Sequence, residues 1–323
     1  MRFATFNVLH GRTLQEGKPV SVPSSDVGLA LAEAVASLGA DVLALQEVDR
    51  LQQRSGFVDQ ARVAAQAVGA WDWRYASAVH GRAVPGKGWM LDPAEAGLRV
   101  YGLQDAAAQG EIPSHGIALL SRLPVREWRA RRFTPAPFGL PLRVAGRPGL
   151  TLVRDQPRPA LAAVIAGRQG LFTVVAVHLS FVPGWNIRQL LAIRDWIADL
   201  PRPYILLGDF NLIGPVPRVV LSAAEFVAPV TARAWRGRLG GQEGSALCAG
   251  SCPLGGVVAQ PIRPSMLGGW RDLARVATYP SHRPVVQFDH VLAAGTCRCI
   301  PVGTGAPQMP VSDHRPVVID LLW

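Results

Sequence analysis

Lysine, cysteine and long apolar runs are scarce in this chain of 323 residues, and the lack of long apolar runs excludes a membrane-spanning helix. No apolar run approaches the roughly 20 residues that a membrane-spanning helix requires. The cysteines stand as Cys248-x-x-x-Cys252 and Cys297-x-Cys299, which is not the spacing of common zinc ribbons. Free thiols are therefore expected, with a zinc site as the alternative. The opening MRFATFNVLHG has no secretory signal pattern, which predicts a cytoplasmic protein.

Positive charge is abundant, and almost all of it is arginine. Lys18 and Lys87 are the only lysines, although the net charge is +10. A basic surface attracts polyanions and phosphate-bearing substrates, but a bias toward GC-rich codons would give the same composition. The densest cluster is expected to be a solvated face and comprises Arg122, Arg126, Arg129, Arg131 and Arg132. Aromatic residues make up only 7%, and no row of rings for base stacking is evident.

The hydrophobic pattern predicts one α/β domain over residues 1–323, because neither a low-complexity linker nor a fixed-period repeat divides the chain. The predicted strands are 2–9, 41–48, 116–121, 160–167, 171–180, 205–212, 288–293 and 315–322. The predicted helices are 24–38, 56–69 and 186–200. Residues 71–113 are expected to form a long surface loop, 122–159 an irregular Arg- and Pro-rich excursion, and 213–286 a loop-rich segment with short helical patches.

Polar side chains stand at one end of six of the predicted strands. At carboxyl ends they are Asn7, Glu47, His178, Asp209 and Asn211; at amino ends they are Asp289, Asp313 and His314. If the last two strands run antiparallel to the others, all eight side chains converge on one edge of the fold. The sequence therefore predicts a single site there.

Oxygen ligands dominate this set, which suits a hard cation such as Mg²⁺ or Mn²⁺ beside a phosphate. Such a metal polarises a phosphoryl oxygen, a carboxylate activates water, and a histidine balances charge or protonates the leaving oxygen. Each residue alone has a plainer explanation: Asp209-x-Asn211 as a turn, and His178 as a buried structural histidine. The coincidence of eight suitable residues at strand ends favours the catalytic interpretation.

Seven short motifs make the pattern specific. They are TFN at 5–7, LQEVD at 45–49, GIALLSRLPV at 116–125, VAVHL at 175–179, LLGDFN at 206–211, TYP with FDHV at 278–291, and SDHRPV at 312–317. In this order they resemble the endonuclease/exonuclease/phosphatase superfamily, the DNase I-like group that includes AP endonucleases, neutral sphingomyelinases and inositol polyphosphate 5-phosphatases. The fold implied is a four-layer α/β sandwich, in which two mixed β-sheets pack face to face with helices outside.

The resemblance also implies a role for each residue. Glu47 would be the principal metal ligand, with Asn7 and Asp313 close to the metal. Asp209 would orient or deprotonate the attacking water, and Asn211 would hold the phosphate or Asp209. His314 would contact the scissile phosphate, with Asp289 fixing its tautomer. His178 would be the second histidine and a candidate general acid.

Departures from the family patterns narrow the branch. AP endonucleases of this fold usually lack a histidine at the position of His178 and carry a tryptophan shortly before their terminal Ser-Asp-His, whereas this chain has QMPVSDH. The inositol 5-phosphatase signature is also missing around Asp289, where the chain has RPVVQFDHV. The expected activity is a Mg²⁺- or Mn²⁺-dependent phosphodiesterase acting on a nucleic-acid or phospholipid-type diester. The alternatives are a phosphomonoesterase and a non-catalytic protein that binds nucleic acid or acidic lipid. His115 is a further candidate for the pocket wall, whereas the substrate and the oligomeric state are left open.

Overall fold

Alternating strand patterns form two large β-sheets and two separate two-stranded sheets in the computed structural model, which describes residues 1–84, 88–93, 97–105, 111–142, 149–225, 269–295 and 300–322. The strands are β1 (Arg2–Asn7), β2 (Leu14–Gln15), β3 (Lys18–Pro19), β4 (Val42–Arg50), β5 (Asp72–Val84), β6 (Gly88–Leu91), β7 (Arg99–Gly102), β8 (Ser114–Ser121), β9 (Val125–Phe133), β10 (Gly139–Leu142), β11 (Thr151–Arg154), β12 (Arg158–Gly167), β13 (Gly170–His178), β14 (Tyr204–Asp209), β15 (Arg271–Asp272), β16 (Asp289–Ala294), β17 (Ile300–Gly305) and β18 (Val317–Leu322). The helices are α1 (Ser24–Ser37), α2 (Gln60–Val68) and α3 (Trp185–Trp196), and residues 216–225 are also helical.

Each of the two large sheets is mixed, with one parallel pair at its centre, whereas the pairs β2-β3 and β10-β11 are antiparallel and separate. The first sheet has the order β17-β18-β1-β4-β8-β5-β6, with β7 paired to β5, and the second has the order β15-β16-β14-β13-β12-β9. The parallel pairs are β1 with β4 and β13 with β14, while β18 and β16 run antiparallel to β1 and β14. The amino ends of β16 and β18 therefore lie at the same edge as the carboxyl ends of their neighbours β14 and β1.

Side-chain alternation divides the interior into three apolar layers. Phe3 of β1 and Leu207 of β14 belong to the layer between the two sheets. Phe6 of β1 packs on the opposite face of the first sheet, under α1 and α2. Leu206 of β14 packs under α3 on the outer face of the second sheet. Helix, sheet, sheet and helix follow one another, so the predicted four-layer sandwich is confirmed.

Two of the predicted irregular regions contain strands, and those predictions were wrong. Residues 71–113 include the thirteen-residue β5 as well as β6 and β7. Gly81, one of the glycines that suggested a loop, is built into β5, where it has φ 135° and its missing Cβ would lie 2.1 Å from the carbonyl oxygen of Met90. Residues 122–159 include β9 at the edge of the second sheet, where arginines reach solvent and hide the apolar alternation.

Smaller differences from the sequence predictions concern the start of one helix and one additional strand. The predicted helix 56–69 begins later in the structure, because α2 starts at Gln60, and Phe57, which precedes it, is 61% exposed. β17 was not predicted. The four cysteines lie outside the described residues, as does most of 213–286. None of the helices within the described ranges has the length and apolar composition needed to span a membrane.

Candidate functional site

The predicted site residues lie at the same end of both sheets. Asp209 is paired with His178 across the parallel strands and with Asp289 across the antiparallel ones. Asn7 ends the neighbouring strand of the first sheet, and its Nδ2 donates a hydrogen bond of 3.0 Å to Asp209 Oδ2. This bond crosses from one sheet to the other.

Unusual backbone conformations bring the side chains to this edge. Glu47 has φ 56° at a bulge between Leu45 and Val48, where β4 loses register with β8. Asn211 and Ser312 also have positive φ values, 48° and 75°. Strained residues that the surrounding structure holds in place cluster at functional sites, and bulges redirect side chains there. Regular alternation of side chains along β4 does not predict the direction of the Glu47 side chain, because the bulge changes it.

Asn7 connects the two halves of the site. Its Nδ2 also donates to Glu47 Oε1 at 3.2 Å, and its Oδ1 accepts from the backbone N–H of Leu9 at 3.1 Å. The backbone carbonyl of Asn7 accepts a bond from Ser312 Oγ at 2.5 Å, which ties down the segment before β18. Because Asn7 Oδ1 has a second lone pair, these bonds leave it able to coordinate a cation.

Glu47 and Asp313 are two carboxylates of the site, and the charge of Glu47 acts on Asp313. Burial raises the pKa of Asp313, and the charges of Glu47 and Asp289 raise it further against the lowering effect of His314. Burial also acts to raise the pKa of Glu47, but the charges of His115 and His10 and the bond from Asn7 lower it overall. A divalent cation would relieve the negative charge that Glu47 exerts on Asp313, and the oxygen donors of both residues suit Mg²⁺ or Mn²⁺.

Asp209 is buried and faces a second carboxylate. Burial and the charge of Asp289 raise the pKa of Asp209 to about 7, although His314 and the bonds from Asn211 and Asn7 act to lower it. The backbone N–H of Asn211 donates to Asp209 Oδ1 at 2.9 Å. The Asn211 side chain donates to the carbonyl oxygen of Leu179 at 2.9 Å, which fixes the turn after β14.

His314 is held as a cation between carboxylates. Its Nδ1 donates to Asp289 Oδ2 at 2.8 Å, and Thr278 Oγ1 donates to the same oxygen at 2.6 Å. Burial lowers the pKa of His314, but Asp289, Asp209 and Asp313 outweigh it and raise the pKa to about 10. One ligand atom each of Asp209, Asp289 and His314 lies within 4.8 Å of the others. The imidazolium already balances these carboxylates, so Glu47 and Asp313 fit a metal better.

His178 has the opposite surroundings. Its Nε2 is 3.7 Å from Asp209 Oδ2, while Arg158 Nη1 lies 3.1 Å from Nε2 and 3.2 Å from Nδ1. Arg158 in turn lies 3.7 Å from Asp155 Oδ1. Burial, followed by the charge of Arg158, lowers the pKa of His178 well below its ordinary value. The ring is therefore neutral at pH 7.

The matching family model carries the description Endonuclease/Exonuclease/phosphatase family and covers residues 4–314. The chain belongs to this family. Its similarity to solved structures spans the whole fold. An endonuclease/exonuclease/phosphatase of Beutenbergia cavernae is 18% identical with a TM-score of 0.52, over 99% of this chain and 70% of that one. The human nocturnin catalytic domain with bound sulfate is 13% identical with a TM-score of 0.52, over 100% and 94%.

A conserved protein of Enterococcus faecalis is similar as well. It is 15% identical with a TM-score of 0.51, over 100% of this chain and 99% of that one. At these identities the likeness shows the fold alone. No curated protein matches the chain by sequence.

One cluster beside the family motifs was missed in the sequence. Asp49, the last residue of the LQEVD motif, is fully buried and binds both Arg54 and His115. His10 also lies nearby, and burial and the charge of Arg54 lower its pKa to about 4. The acid-to-histidine pairing was not visible, because it depends on the alignment of Asp49 with His115 across β4 and β8. The sequence signal was the position of His115 at the start of a strand.

Proposed function

We propose that this protein is a divalent-metal-dependent phosphodiesterase that hydrolyses a nucleic-acid or phospholipid-type diester by water attack. One observation carries the proposal: Asn7 Nδ2 bonds both Glu47 and Asp209, so a carboxylate of each sheet lies at the same point. His314 completes the set with a positive charge close to Asp209. Paired carboxylates, a fixed imidazolium and amide donors are what phosphoryl transfer by metal-assisted hydrolysis needs.

Glu47, Asp313 and Asn7 would hold Mg²⁺ or Mn²⁺. When bound there, such an ion polarises a phosphoryl oxygen and stabilises the charge that develops on it. Glu47 is the principal ligand in this assignment, because the bulge turns its carboxylate toward Asn7. Asp313 supplies the second carboxylate, whose pKa is raised first by burial and then by the negative charge of Glu47.

Asp209 is the proposed base. A carboxyl group with a pKa of about 7 is well matched to accepting a proton from water near neutral pH. The bonds from Asn7 Nδ2 and the Asn211 N–H fix its two oxygens and leave one lone pair on each. Asn211 thus acts by holding Asp209 and the turn that carries it.

His314 is proposed to bind the scissile phosphate. Its Nδ1 is committed to Asp289, so the remaining Nε2–H of the imidazolium is a charged donor for a phosphate oxygen. Thr278 and Asp289 act as positioning residues, because their short bond fixes the carboxylate that orients the ring.

His178 is proposed to face the phosphate from the second sheet. Its ring is neutral at pH 7, so a general-acid role requires the charge of a bound phosphate to raise its pKa. Arg158, in contact with the ring, would then add a positive charge to the same wall. His178 is therefore proposed as the general acid with a phosphate bound beside it.

The activity is tested with bis-p-nitrophenyl phosphate, plasmid DNA, short RNA and a phosphatidylcholine substrate, each with Mg²⁺, Mn²⁺ or EDTA. We expect turnover only with metal, and Glu47→Gln should lower kcat by about 10³-fold, since a lost metal contact removes several kcal/mol of transition-state stabilisation. Glu33→Gln on the exposed face of α1 is the matched control. Metal-independent turnover, or full activity of Glu47→Gln, would overturn the proposal.

Two alternatives are separated by the same assay. p-Nitrophenyl phosphate as a preferred substrate would indicate a phosphomonoesterase. Salt-sensitive binding of DNA or anionic vesicles without turnover on any phosphoester would indicate a non-catalytic polyanion-binding protein. The buried carboxylates argue against the second alternative, because a protein that only binds phosphate gains nothing from negative charge beside it.

A further inference from the structure

Arg54 is a cation at the rim of the site that the proposed chemistry does not use. It lies in the turn Gln53–Ser55 that follows β4, and its Nε and Nη2 donate to Asp49 Oδ2 and Oδ1, both at 2.8 Å. This two-point bond fixes the plane of the guanidinium and does not require Nη1. The Arg54 side chain is 28% exposed, although Asp49 beneath it is fully buried.

His115 and Trp89 complete the setting of Arg54. His115 Nδ1 donates to Asp49 Oδ1 at 2.7 Å, so the same carboxylate orients both the ring and the guanidinium. The Trp89 ring lies 5.3 Å from the His115 ring, and the Arg54 guanidinium carbon is 5.1 Å from the centre of the indole. A flat cation supported on an aromatic face is restricted in its motion and ready to bind an oxyanion.

A neighbouring arginine shows what a purely structural arrangement looks like. Arg50 is completely buried, contacts both Asp59 and Glu111 at 3.1 and 2.8 Å, and lies 4.1 Å from the ring centre of Tyr101. Two carboxylates surround that single cation. Arg54 instead bonds a single carboxylate, which it shares with a histidine, and it remains partly exposed, so an approaching anion can reach it.

The Arg54 cluster lies next to the proposed metal position. Asp49 is two residues beyond Glu47 on the same strand, and the negative charge of Glu47 acts on the Arg54 guanidinium. His115 acts in turn on Glu47. An anion bound by Arg54 would therefore lie on the first-sheet side of the scissile phosphate, across from Arg158 and His178 on the second sheet.

We infer that Arg54 binds a second phosphate of the substrate, next to the scissile one, with Asp49 and His115 as positioning residues. The inference rests on the proposed phosphodiesterase activity and narrows its substrate to oligonucleotides, in which phosphates recur along the chain. The net charge of +10 favours the same class. A phospholipid diester whose head group has no second phosphate would leave Arg54 without a ligand.

The test compares three thymidine dinucleotides: one without a terminal phosphate, one with a 5′-phosphate and one with a 3′-phosphate. We expect wild type to prefer one of the phosphorylated forms by about 10-fold in kcat/KM, because a hydrogen bond between charged groups is worth a factor of this size. Arg54→Gln should abolish the preference through KM, so that kcat/KM on the phosphorylated forms falls to the value for the unphosphorylated dinucleotide. Arg54→Lys should restore part of it.

The controls separate binding from folding. Arg126→Gln removes an exposed arginine of β9 and should retain the full preference. His115→Gln should weaken the preference through KM without changing the melting temperature by more than a few degrees. The inference is overturned if wild type treats all three dinucleotides alike, or if Arg54→Gln lowers activity on all three equally.

Failure of the activity itself is recognised separately. If wild type cleaves none of the dinucleotides, equilibrium dialysis in EDTA measures how strongly the phosphorylated forms bind, and therefore whether Arg54 contributes to that binding. Weaker binding to Arg54→Gln than to wild type and Arg126→Gln would support the phosphate subsite even though the proposed hydrolysis had failed. Equal binding by all three proteins would overturn it.

Discussion

Two histidines flank Asp209, and their surroundings oppose each other. His314 faces carboxylates, which raise its pKa to about 10, whereas His178 faces Arg158 and has a pKa well below its ordinary value. Both rings are buried, so burial alone does not distinguish them. The difference lies in the charge of the nearest neighbour. One residue type thus provides a fixed cation on one side of the site and a neutral ring on the other.

The largest expected effect comes from removing the cationic ring. His314→Gln should lower kcat by about 10³-fold, because a charged donor aimed at the phosphate is lost. Steady-state kinetics with bis-p-nitrophenyl phosphate measures this, and His282→Gln, at an exposed histidine, is the matched control. A loss of less than tenfold would show that the imidazolium is not used in catalysis.

A smaller loss is expected on the other side of the site. His178→Gln should lower kcat by about 10²-fold, the lower limit for general acid–base help, because the neutral ring begins without the proton it would donate. The same assay and the same His282→Gln control apply. If His178→Gln lowers kcat more than His314→Gln does, the assignment of a charged His314 and a neutral His178 is wrong for the active enzyme.

The smallest effect concerns stability rather than rate. The raised pKa of His314 means that the folded protein holds this proton more tightly than the unfolded chain. Its contribution is complete below the ordinary pKa of 6.5 and is lost as pH rises through about 10. Asp289→Asn should therefore cost about 2 kcal/mol at pH 7 and flatten the decline in stability between these pH values.

Urea unfolding in EDTA at a series of pH values tests this third expectation. Asp195→Asn, which removes a carboxylate that is 66% exposed beside Arg194, is the control and should follow wild type. An Asp289→Asn variant that loses stability by the same amount at every pH would show that the carboxylate acts through packing and not through the charge of His314.

The sequence predicted the four-layer fold and the polar side chains that end its apolar strands, but it missed several strands of the first sheet. Asn7, Glu47 and Asp209 were found because polar side chains ending apolar strands break a simple pattern, and Asn7 bonds the other two in the structure. Residues 71–113 were misjudged because glycine and tryptophan interrupt the alternation of β5. Its edge partners were missed for the same reason, since short strands with exposed apolar residues have little pattern to detect.

The sequence by itself determined which oxygen and imidazole groups this protein has and that they end strands, because local alternation is written in the order of residues. Only the tertiary structure decided which groups meet. Strand pairing placed Asp289 opposite Asp209, a bulge turned Glu47 toward Asn7, and the buried Asp49 carboxylate fixed both Arg54 and His115. Charge interactions depend on distance and burial, so the protonation of His178 and His314 could not be inferred until the chain had folded.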